Sequence, residues 1–219
     1  MAEIDFLCLA NSRMKNGRCI AGINLDTGVW IRLTSNLPTH AYTLEETKLD
    51  TGSPIRPLDI AKLKLGPPNP SFSQAENVLA DGGSWRFVRR IDIEQGPDRK
   101  ILRQAMRSSG ELLNTPEAGA ISIAPDANRI PSSLALIQVK APAFRKPPNI
   151  SKRCRFNYKG SHFDLPYTDD LAKYPLLTSK WQVTNSHDWL LTVSLGQLHK
   201  GAYWKLVAGA IPLIPLDLG

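Results

Sequence analysis

Short apolar segments closed by turn residues run through most of this 219-residue chain, and they constrain its fold more than any other feature. The run from Ile4 to Leu9 is apolar except for Asp5, which is typical of a buried strand. Residues 19–25 and 29–33 flank Asp26-Thr27-Gly28, a glycine-containing turn of the kind that closes hairpins. These patterns predict short strands that pair with antiparallel neighbours.

The second half of the chain contains another strong hairpin pattern. From Lys152 to Tyr167 it reads K-R-C-R-F-N-Y-K-G-S-H-F-D-L-P-Y, with a turn at Lys159-Gly160. Side chains alternate between the two faces of a strand, so a period of two separates an apolar face from a basic one. The apolar face carries Cys154, Phe156 and Tyr158, and the other face carries Arg153, Arg155 and Asn157.

One segment has helical periodicity. After Gly96-Pro97, apolar residues recur at helical spacing and predict a helix that continues to about Leu113. A loop rich in Ala, Pro, Gly and Ser follows, and strands resume at Leu134. Strands and helices do not alternate, and there is no fixed repeat. We therefore predict a mainly β fold of two small OB-like antiparallel barrels in tandem: a first barrel in 1–95, one helix and a long connecting loop in 96–133, and a second barrel in 134–219.

Charge favours an anionic partner. The formal net charge is +7 and the isoelectric point is about 9.4, a balance that suits nucleic acid. The amino terminus, M-A-E-I-D-F, carries acid where a secretion signal carries base, and no apolar run approaches the roughly 18 residues of a membrane span. We expect a cytoplasmic protein with no membrane partner.

Motifs for catalysis and metal binding are missing from the sequence. It contains no G-x-S-x-G, no G-x-x-x-x-G-K-[ST] and no deaminase H-x-E with P-C-x-x-C. Cys8 and Cys19 are too far apart in sequence for a zinc pair, and no two histidines fall within five residues. Cys8 could act as a nucleophile only if the fold brought His187 or His199 to it. Nothing argues for an enzyme, and we predict no metal ion and no cofactor.

Two basic segments contain no acidic residue. The first lies between Asp5 and Asp26, and the second lies between Asp126 and Asp164. Unopposed cations repel each other, and aromatic residues among cations suit single-stranded nucleic acid, so we interpret both segments as anion-binding. The candidate nucleic-acid-binding residues are Asn11, Ser12, Arg13, Lys15, Arg18 and Arg32 in the first half, and Arg145, Lys146, Lys152, Arg153, Arg155 and Lys159 in the second.

These two groups lead to a geometric prediction. We expect Arg13, Lys15 and Arg18 to lie on the same face of the molecule as Arg153 and Arg155, forming one continuous basic track. Cys8 and Cys19 are expected to be buried beneath this track.

Several motifs resemble the dual OB-containing domain family. Residues 9–23 read L-A-N-S-R-x-x-x-G-R-C-I-A-G-I, and V-W-I-R follows at 29–32. Further matches are F-x-Y-x-G-x-x-F-x-L-x-x-T-D at 156–169, V-S-L-G at 193–196 and K-L-V-A-G at 205–209. The family usually reads W-I-R-P, whereas Leu33 follows Arg32 here. The resemblance implies two OB-like barrels in one compact unit, a nucleic-acid-binding role, and a prokaryotic setting compatible with anti-phage defence.

Three functions stay open at this point. The first is a nucleic-acid-binding module for single-stranded DNA or RNA. The second is a compact pocket for a small anionic ligand such as a nucleotide, formed by Asn11, Ser12, Arg13, Arg18 and Arg32. The third is an adaptor that docks an acidic protein partner.

Overall fold

A computed structural model describes residues 2–14, 17–71, 73–83, 85–106, 112–115, 119–122, 132–145, 151–169 and 187–213. The mainly β class is confirmed. The strands are β1 (Ala2–Met14), β2 (Gly17–Asn24), β3 (Trp30–Thr34), β4 (Asp59–Pro68), β5 (Asn77–Ala80), β6 (Arg86–Arg90), β7 (Ala120–Ser122), β8 (Leu134–Lys140), β9 (Ala143–Arg145), β10 (Arg153–Tyr158), β11 (Ser161–Pro166), β12 (Asp188–His199) and β13 (Ala202–Pro212). The α-helix α1 spans Gly96–Ala105, and short 3-10 turns lie at Glu45–Thr47 and Leu112–Asn114.

The first half forms a closed five-stranded barrel. Its strands follow the order β1-β2-β3-β5-β4, and β4 pairs back onto β1. The β3–β5 pair is parallel, and the other pairs around the barrel are antiparallel. Phe6, Ile20 and Leu33 pack in its core with Tyr42 and Trp85. A closed barrel of five strands is the architecture expected of an OB fold.

The second half, called the second barrel below, consists of two sheets that share one core. One sheet has the order β7-β13-β12-β8, the other has the order β11-β10-β9, and a bridge between Tyr167 and Val207 joins them. The predicted hairpin is present as β10 and β11. Phe156 and Phe163 lie opposite each other, stacked with their ring centroids 5.3 Å apart, and pack against the core that contains Trp189. Arg155, between the buried residues Cys154 and Phe156 on β10, is exposed, so the predicted alternation is confirmed.

The two barrels meet through a buried apolar interface. Leu7 and Leu9 of β1 pack with Leu136, Leu190 and Ile211 of the second barrel. A smaller patch beside it consists of Ala10, Ala21, Leu134 and Ala208. Burial of these side chains removes apolar surface of both barrels from water, which favours one compact unit.

A β-bulge in each barrel shapes this interface. The pairing of β1 with β2 shifts at Leu9, and the pairing of β12 with β13 shifts at Ala208. Bulges of this kind leave one residue unpaired and bend the strand. The next residue after the second bulge is Gly209, where a Cβ atom would lie only 2.4 Å from the carbonyl oxygen of Leu9. The strands can approach this closely because residue 209 has no side chain.

The helix is shorter than the sequence predicted. It ends at Ala105, and Leu113 has a left-handed backbone with φ of 57°, so the predicted continuation to about Leu113 is wrong. Residues 107–111 lie outside the described part of the chain. Leu102 and Ala105 pack into the interface between the barrels, so the helix contacts the core that both share. The domain boundaries at 95 and 133 stay a prediction.

An ion pair fixes the first turn of the helix to a strand of the first barrel. Asp98 in its first turn accepts two 2.8 Å hydrogen bonds from Arg89 of β6. The hydrogen bonds from Arg89 hold the pKa of Asp98 below its usual range. Within the described residues, no helix has the length and apolar character needed to cross a membrane.

Candidate functional site

A cleft of about 620 Å³ lies between the two barrels. The first barrel contributes one wall from β1, β2, β3, the segment 38–41 and the β4–β5 connection. The second barrel contributes the other wall, mainly from β12 and β13. The residues that line it are Ser12, Arg13, Met14, Cys19, Arg32, Leu33, Thr34, Pro38, Thr39, His40, Ala41, Asn69, Pro70, Ser71, Gln74, Asn77, Thr168, Ser194, Gly196, Gln197, Leu198, His199 and Leu206.

On the first barrel, the cleft lies at the face and loops with which OB barrels contact their ligands. Cys19 belongs to β2, and Leu33 and Thr34 belong to β3. Asn69 and Gln74 come from the connection between β4 and β5. The β2–β3 face, the β1–β2 loop and the β4–β5 loop are the parts of an OB barrel that contact its ligands.

The cleft wall mixes apolar surface with polar groups, and its charged side chains include Arg13 and Arg32. Among the described residues that line it there is no aspartate or glutamate. Gln74 donates from Nε2 to the carbonyl oxygen of Leu195 at 3.1 Å, and Asn77 donates from Nδ2 to Oε1 of Gln74 at 3.3 Å. The Oδ1 atom of Asn77 is buried without a hydrogen-bond partner in the described structure. The wall therefore offers neutral amide groups rather than a dense cluster of cations.

Arg32 is buried and joins the two barrels. Its guanidinium donates to Oε1 of Glu76 at 3.2 Å, to Oγ of Ser133 at 2.6 Å and to Oγ of Ser194 at 3.2 Å. Ser133 also donates to the Glu76 carboxylate. The side chains of Arg32 and Glu76 are only 6% and 7% exposed. The sequence predicted a ligand-binding cation here, but the structure places the Arg32 charge in an ion pair with Glu76.

Arg13 and Arg18 face each other across the β1–β2 pair. Arg13 is exposed and lines the cleft, whereas Arg18 is half-buried and has a buried guanidinium nitrogen, NH1, without a hydrogen-bond partner in the described structure. Like charges directly opposite each other on neighbouring strands repel. Lys15, predicted to belong to the same group, lies outside the described residues.

Two polar residues predicted to bind nucleic acid have different surroundings. Asn11 is buried, and its Nδ2 atom donates to the carbonyl oxygen of Ile55 at 2.7 Å. It is not one of the residues that line the cleft, and this bond assigns it a structural role. Ser12 is also buried, at 5% exposure, but it does line the cleft.

Three predicted arginines surround one carboxylate in the second barrel. Asp164 of β11 pairs with Nε of Arg153 at 3.1 Å, with a guanidinium nitrogen of Arg155 at 3.6 Å, and with Arg145. The interpretation of this segment as unopposed cations is therefore wrong, because the first acid after it folds back onto it. Burial acts to raise the pKa of Asp164, but hydrogen bonds from Arg153 and Arg145 outweigh burial and lower it.

The remaining predicted cations lie around the same hairpin. Lys152 is half-buried, and Lys159 is exposed with its ammonium 5.5 Å from the ring centroid of Tyr158. Lys146 lies outside the described residues. Arg145, Arg153, Arg155, Lys152 and Lys159 are not among the residues that line the cleft.

A short chain of backbone contacts links the two basic groups. The amide of Arg13 donates to the carbonyl oxygen of Thr168 at 2.9 Å, and the amide of Tyr167 donates to that of Lys152 at 2.8 Å. The end of β1 therefore lies near the base of the β10–β11 hairpin. The continuous basic track through Arg13, Arg18, Arg153 and Arg155 stays a prediction.

The cysteines occupy three different environments. Cys8 is fully buried in the first core, as predicted. Cys19 is half-buried and lines the cleft, so the prediction that it is buried is wrong. Cys154 is buried in the second core, and burial raises the pKa of its thiol. Within the described residues, no three His, Cys, Asp or Glu side chains come together in a way that could hold a metal ion.

Sequence reasoning missed the second barrel's side of the cleft. Ser194 and Gly196 belong to the V-S-L-G motif, which signalled only a family resemblance. Gln197, Leu198 and Leu206 carry no charge pattern that could have drawn attention to them. The β4–β5 connection was also missed, because it reads as an ordinary polar turn.

Two solved structures are weakly similar to the chain. The solved structure described as "Crystal structure of the tetrameric p202 HIN2" has 8% identity and a TM-score of 0.34, over 98% of this chain and 93% of that chain. "Structure of murine DNA binding protein bound with ds DNA" has 7% identity and a TM-score of 0.36, over 98% and 97%.

No curated protein matches the chain significantly. A family model does match it, from residue 4 to residue 210, nearly the whole chain. This match agrees with the motifs of both halves and with the closed five-stranded barrel of the first half. The chain belongs to the Dual OB-containing domain family.

Proposed function

We propose that this protein binds nucleic acid through the cleft and the adjoining surface of the first barrel. The observation that carries this proposal is the position of the cleft on the β2–β3 face, beside the β4–β5 connection. OB folds bind oligonucleotides with this face and these loops. Family membership and the net charge of +7 support the same function.

The charges around the cleft are compatible with a polyanion. The described lining has no carboxylate that would repel phosphate, and Arg13 at its edge is exposed. Arg18 lies opposite Arg13 on the neighbouring strand. A phosphate that approaches this pair would relieve the repulsion between the two guanidinium groups and release counterions from the nucleic acid.

The ligand we propose is single-stranded DNA or RNA. Asn69 and Asn77 line a cleft of about 620 Å³, which suits one or two unpaired nucleotides rather than a duplex. The amide of Gln74 is already bonded to Leu195 and Asn77 and holds this wall in place. Amide side chains pair well with the hydrogen-bonding edges of bases. Those edges are free in a single strand, where Watson–Crick partners are absent.

Fluorescence anisotropy tests this proposal. Labelled single-stranded DNA, single-stranded RNA and duplex DNA would be titrated between about 50 and 200 mM salt. We expect a single strand to bind more tightly than the duplex, with an affinity that falls as salt rises. No binding at about 50 mM salt would contradict nucleic-acid binding, and a preference for duplex would contradict only the single-stranded specificity.

A double substitution and a control variant test whether Arg13 and Arg18 contact the nucleic acid. The double substitution R13Q/R18Q should weaken binding and reduce the slope of log affinity against log salt by roughly one to two. Its melting temperature should change little, because the substitution also removes a like-charge pair across β1 and β2. The control K64Q changes an exposed cation on β4 away from the cleft lining and should bind like wild type.

The dimensions of the cleft favour a second candidate, a small anionic ligand such as a mononucleotide. Ser12, Arg13 and Arg32, three of the five residues predicted to form such a pocket, do line the cleft. Its volume is in the usual range of roughly 300–1,000 Å³ for small-molecule sites. Stabilisation in a thermal-shift assay by a mononucleotide, but not by an oligonucleotide, would favour this candidate.

The third hypothesis, an adaptor for an acidic protein partner, stays a prediction. Its test is a pull-down in the presence and absence of nuclease. Partners that remain bound after nuclease treatment would support it, whereas partners lost on treatment would indicate a nucleic-acid bridge.

A further inference from the structure

We propose that Trp204 is a stacking platform for an unpaired nucleobase at the mouth of the cleft. This inference rests on the proposed function and deepens it, because it names one base-contacting residue that lies outside the lining of the cleft. The occupant is the base that follows or precedes the nucleotide held in the cleft. Three properties of the residue support the proposal: its exposure, its position and the polarity of its surroundings.

Trp204 is exposed but held in place. The residue is 41% exposed, whereas Trp85 and Trp189 are 1% and 0% exposed. Its indole Nε1–H donates to the carbonyl oxygen of His199 at 3.2 Å across the β12–β13 hairpin. This bond engages the only donor of the indole, so a ligand contacts the exposed part of the ring through its carbon surface.

The position of Trp204 follows from the alternation of β13. Tyr203 and Lys205 are buried on the inner face of the strand, so Trp204 and Leu206 share the outer face. Leu206 lines the cleft and packs against the interface patch that contains Ala208. Residues two apart on a strand are about 7 Å apart, which places the indole about one nucleotide beyond Leu206.

The hairpin end that carries Trp204 also borders the cleft. Gly196, Gln197, Leu198 and His199 all line it. The hairpin closes at Lys200 and Gly201, whose φ angles of 51° and 76° are those of a tight two-residue turn. A nucleic acid strand leaving the cleft along β13 would therefore pass the indole.

The surroundings of Trp204 favour a base over an apolar protein surface. Gln197, His199 and Lys200 are exposed on the same hairpin end, and no carboxylate lies between residues 189 and 213. A single exposed indole beside a cation suits a nucleobase, because the base can stack on the indole while the cation attracts the phosphate backbone. Leu198, 52% exposed, is the only other large apolar side chain exposed on this hairpin end.

Two ligands and three variants test the inference. The ligands are labelled oligothymidylate and a strand of the same length in which abasic sites replace the bases. The variants are W204A, W204F and the control V88A, which truncates an apolar residue that is 44% exposed on β6. Thermal unfolding of each variant verifies that it is folded.

We expect W204A to bind oligothymidylate about tenfold more weakly than wild type, because it loses the stacking of one base. W204F should keep most of the affinity because a benzyl ring also stacks, and V88A should bind like wild type. The abasic strand should bind wild type and W204A equally. Saturating oligothymidylate should quench the intrinsic fluorescence of wild type more strongly than that of W204F.

Failure of the inference and failure of the proposed function give different results. Wild-type affinity of W204A for oligothymidylate would overturn the stacking role alone. Equal weakening of W204A toward both strands would also overturn it, since an abasic strand has no base to stack. Absence of binding by the wild-type protein to oligothymidylate, to the abasic strand and to single-stranded RNA would overturn the proposed function, and the inference with it.

Discussion

The hydroxyl of Thr192 donates a 2.7 Å hydrogen bond to the carbonyl oxygen of Leu9, 183 residues earlier in the chain. Each residue lies at the β-bulge of its own barrel, so the bond joins the two irregular points at which the barrels meet. Regular pairing would direct the Leu9 carbonyl along its own sheet. The bulge instead makes it available to the second barrel.

Replacing Thr192 by valine should destabilise the protein. The substitution preserves the side-chain shape but leaves the Leu9 carbonyl without this donor in a buried interface, at a cost of about 1–3 kcal/mol. The free energy of unfolding in urea measures the loss. The exposed substitution T51V is the control and should change it by less than about 0.5 kcal/mol.

Gly209→Ala should destabilise the protein more than the addition of one methyl group usually does. The new Cβ would lie 2.4 Å from the Leu9 carbonyl oxygen, and this contact is with backbone that cannot rotate away. We expect a loss of at least about 2 kcal/mol in the free energy of unfolding, because the two bulges must separate. Gly96→Ala, where a Cβ meets nothing within 4 Å, should be neutral or slightly stabilising. Equal stability of both variants would show that the barrels do not need this close approach.

Arg32→Met should destabilise the protein strongly, because it leaves the carboxylate of Glu76 buried without its cation. A loss of about 3–5 kcal/mol is expected for a broken buried pair. The double variant R32M/E76Q should recover much of this loss, since no unpaired charge remains. A double-mutant cycle of unfolding free energies measures the coupling. Additive effects of the two substitutions would contradict the buried network.

Asp164→Asn should reveal a pH-dependent contribution to stability. The pKa of Asp164 is lowered in the folded protein, so the carboxylate stabilises the fold above the pKa of about 4 that it has when unfolded. This stabilisation disappears as the pH falls through the lower folded value. Because the arginines are partly exposed, wild type should exceed D164N by only about 1 kcal/mol at neutral pH.

The pH profile provides the test for Asp164. The difference in unfolding free energy between wild type and D164N should shrink below about pH 4. D26N removes an exposed carboxylate in the β2–β3 turn and is the control for the loss of one surface charge. A difference for D164N that persisted unchanged at low pH would contradict the ion pairs with Arg145, Arg153 and Arg155.

The local pattern of apolar and polar residues was sufficient to predict the class of fold and the individual hairpins. The alternation of Phe156 with Arg155, and the glycine at position 160, reflect interactions between near neighbours in sequence. Such periodicity determines which face of a strand is buried wherever that strand lies. The same reasoning failed at Leu113, because the end of the helix depends on packing that periodicity does not report.

The sequence by itself determined the strands, their buried faces and the excess of positive charge. Only the tertiary structure decided which charges are free, because it paired Arg32 with Glu76 and gathered Arg145 and its neighbours around Asp164. It also assembled the cleft from segments as distant as Ser12 and Leu206. Burial and ion pairing depend on which groups are close in space. These residues are far apart in the chain, and strand pairing and β-bulges bring them together.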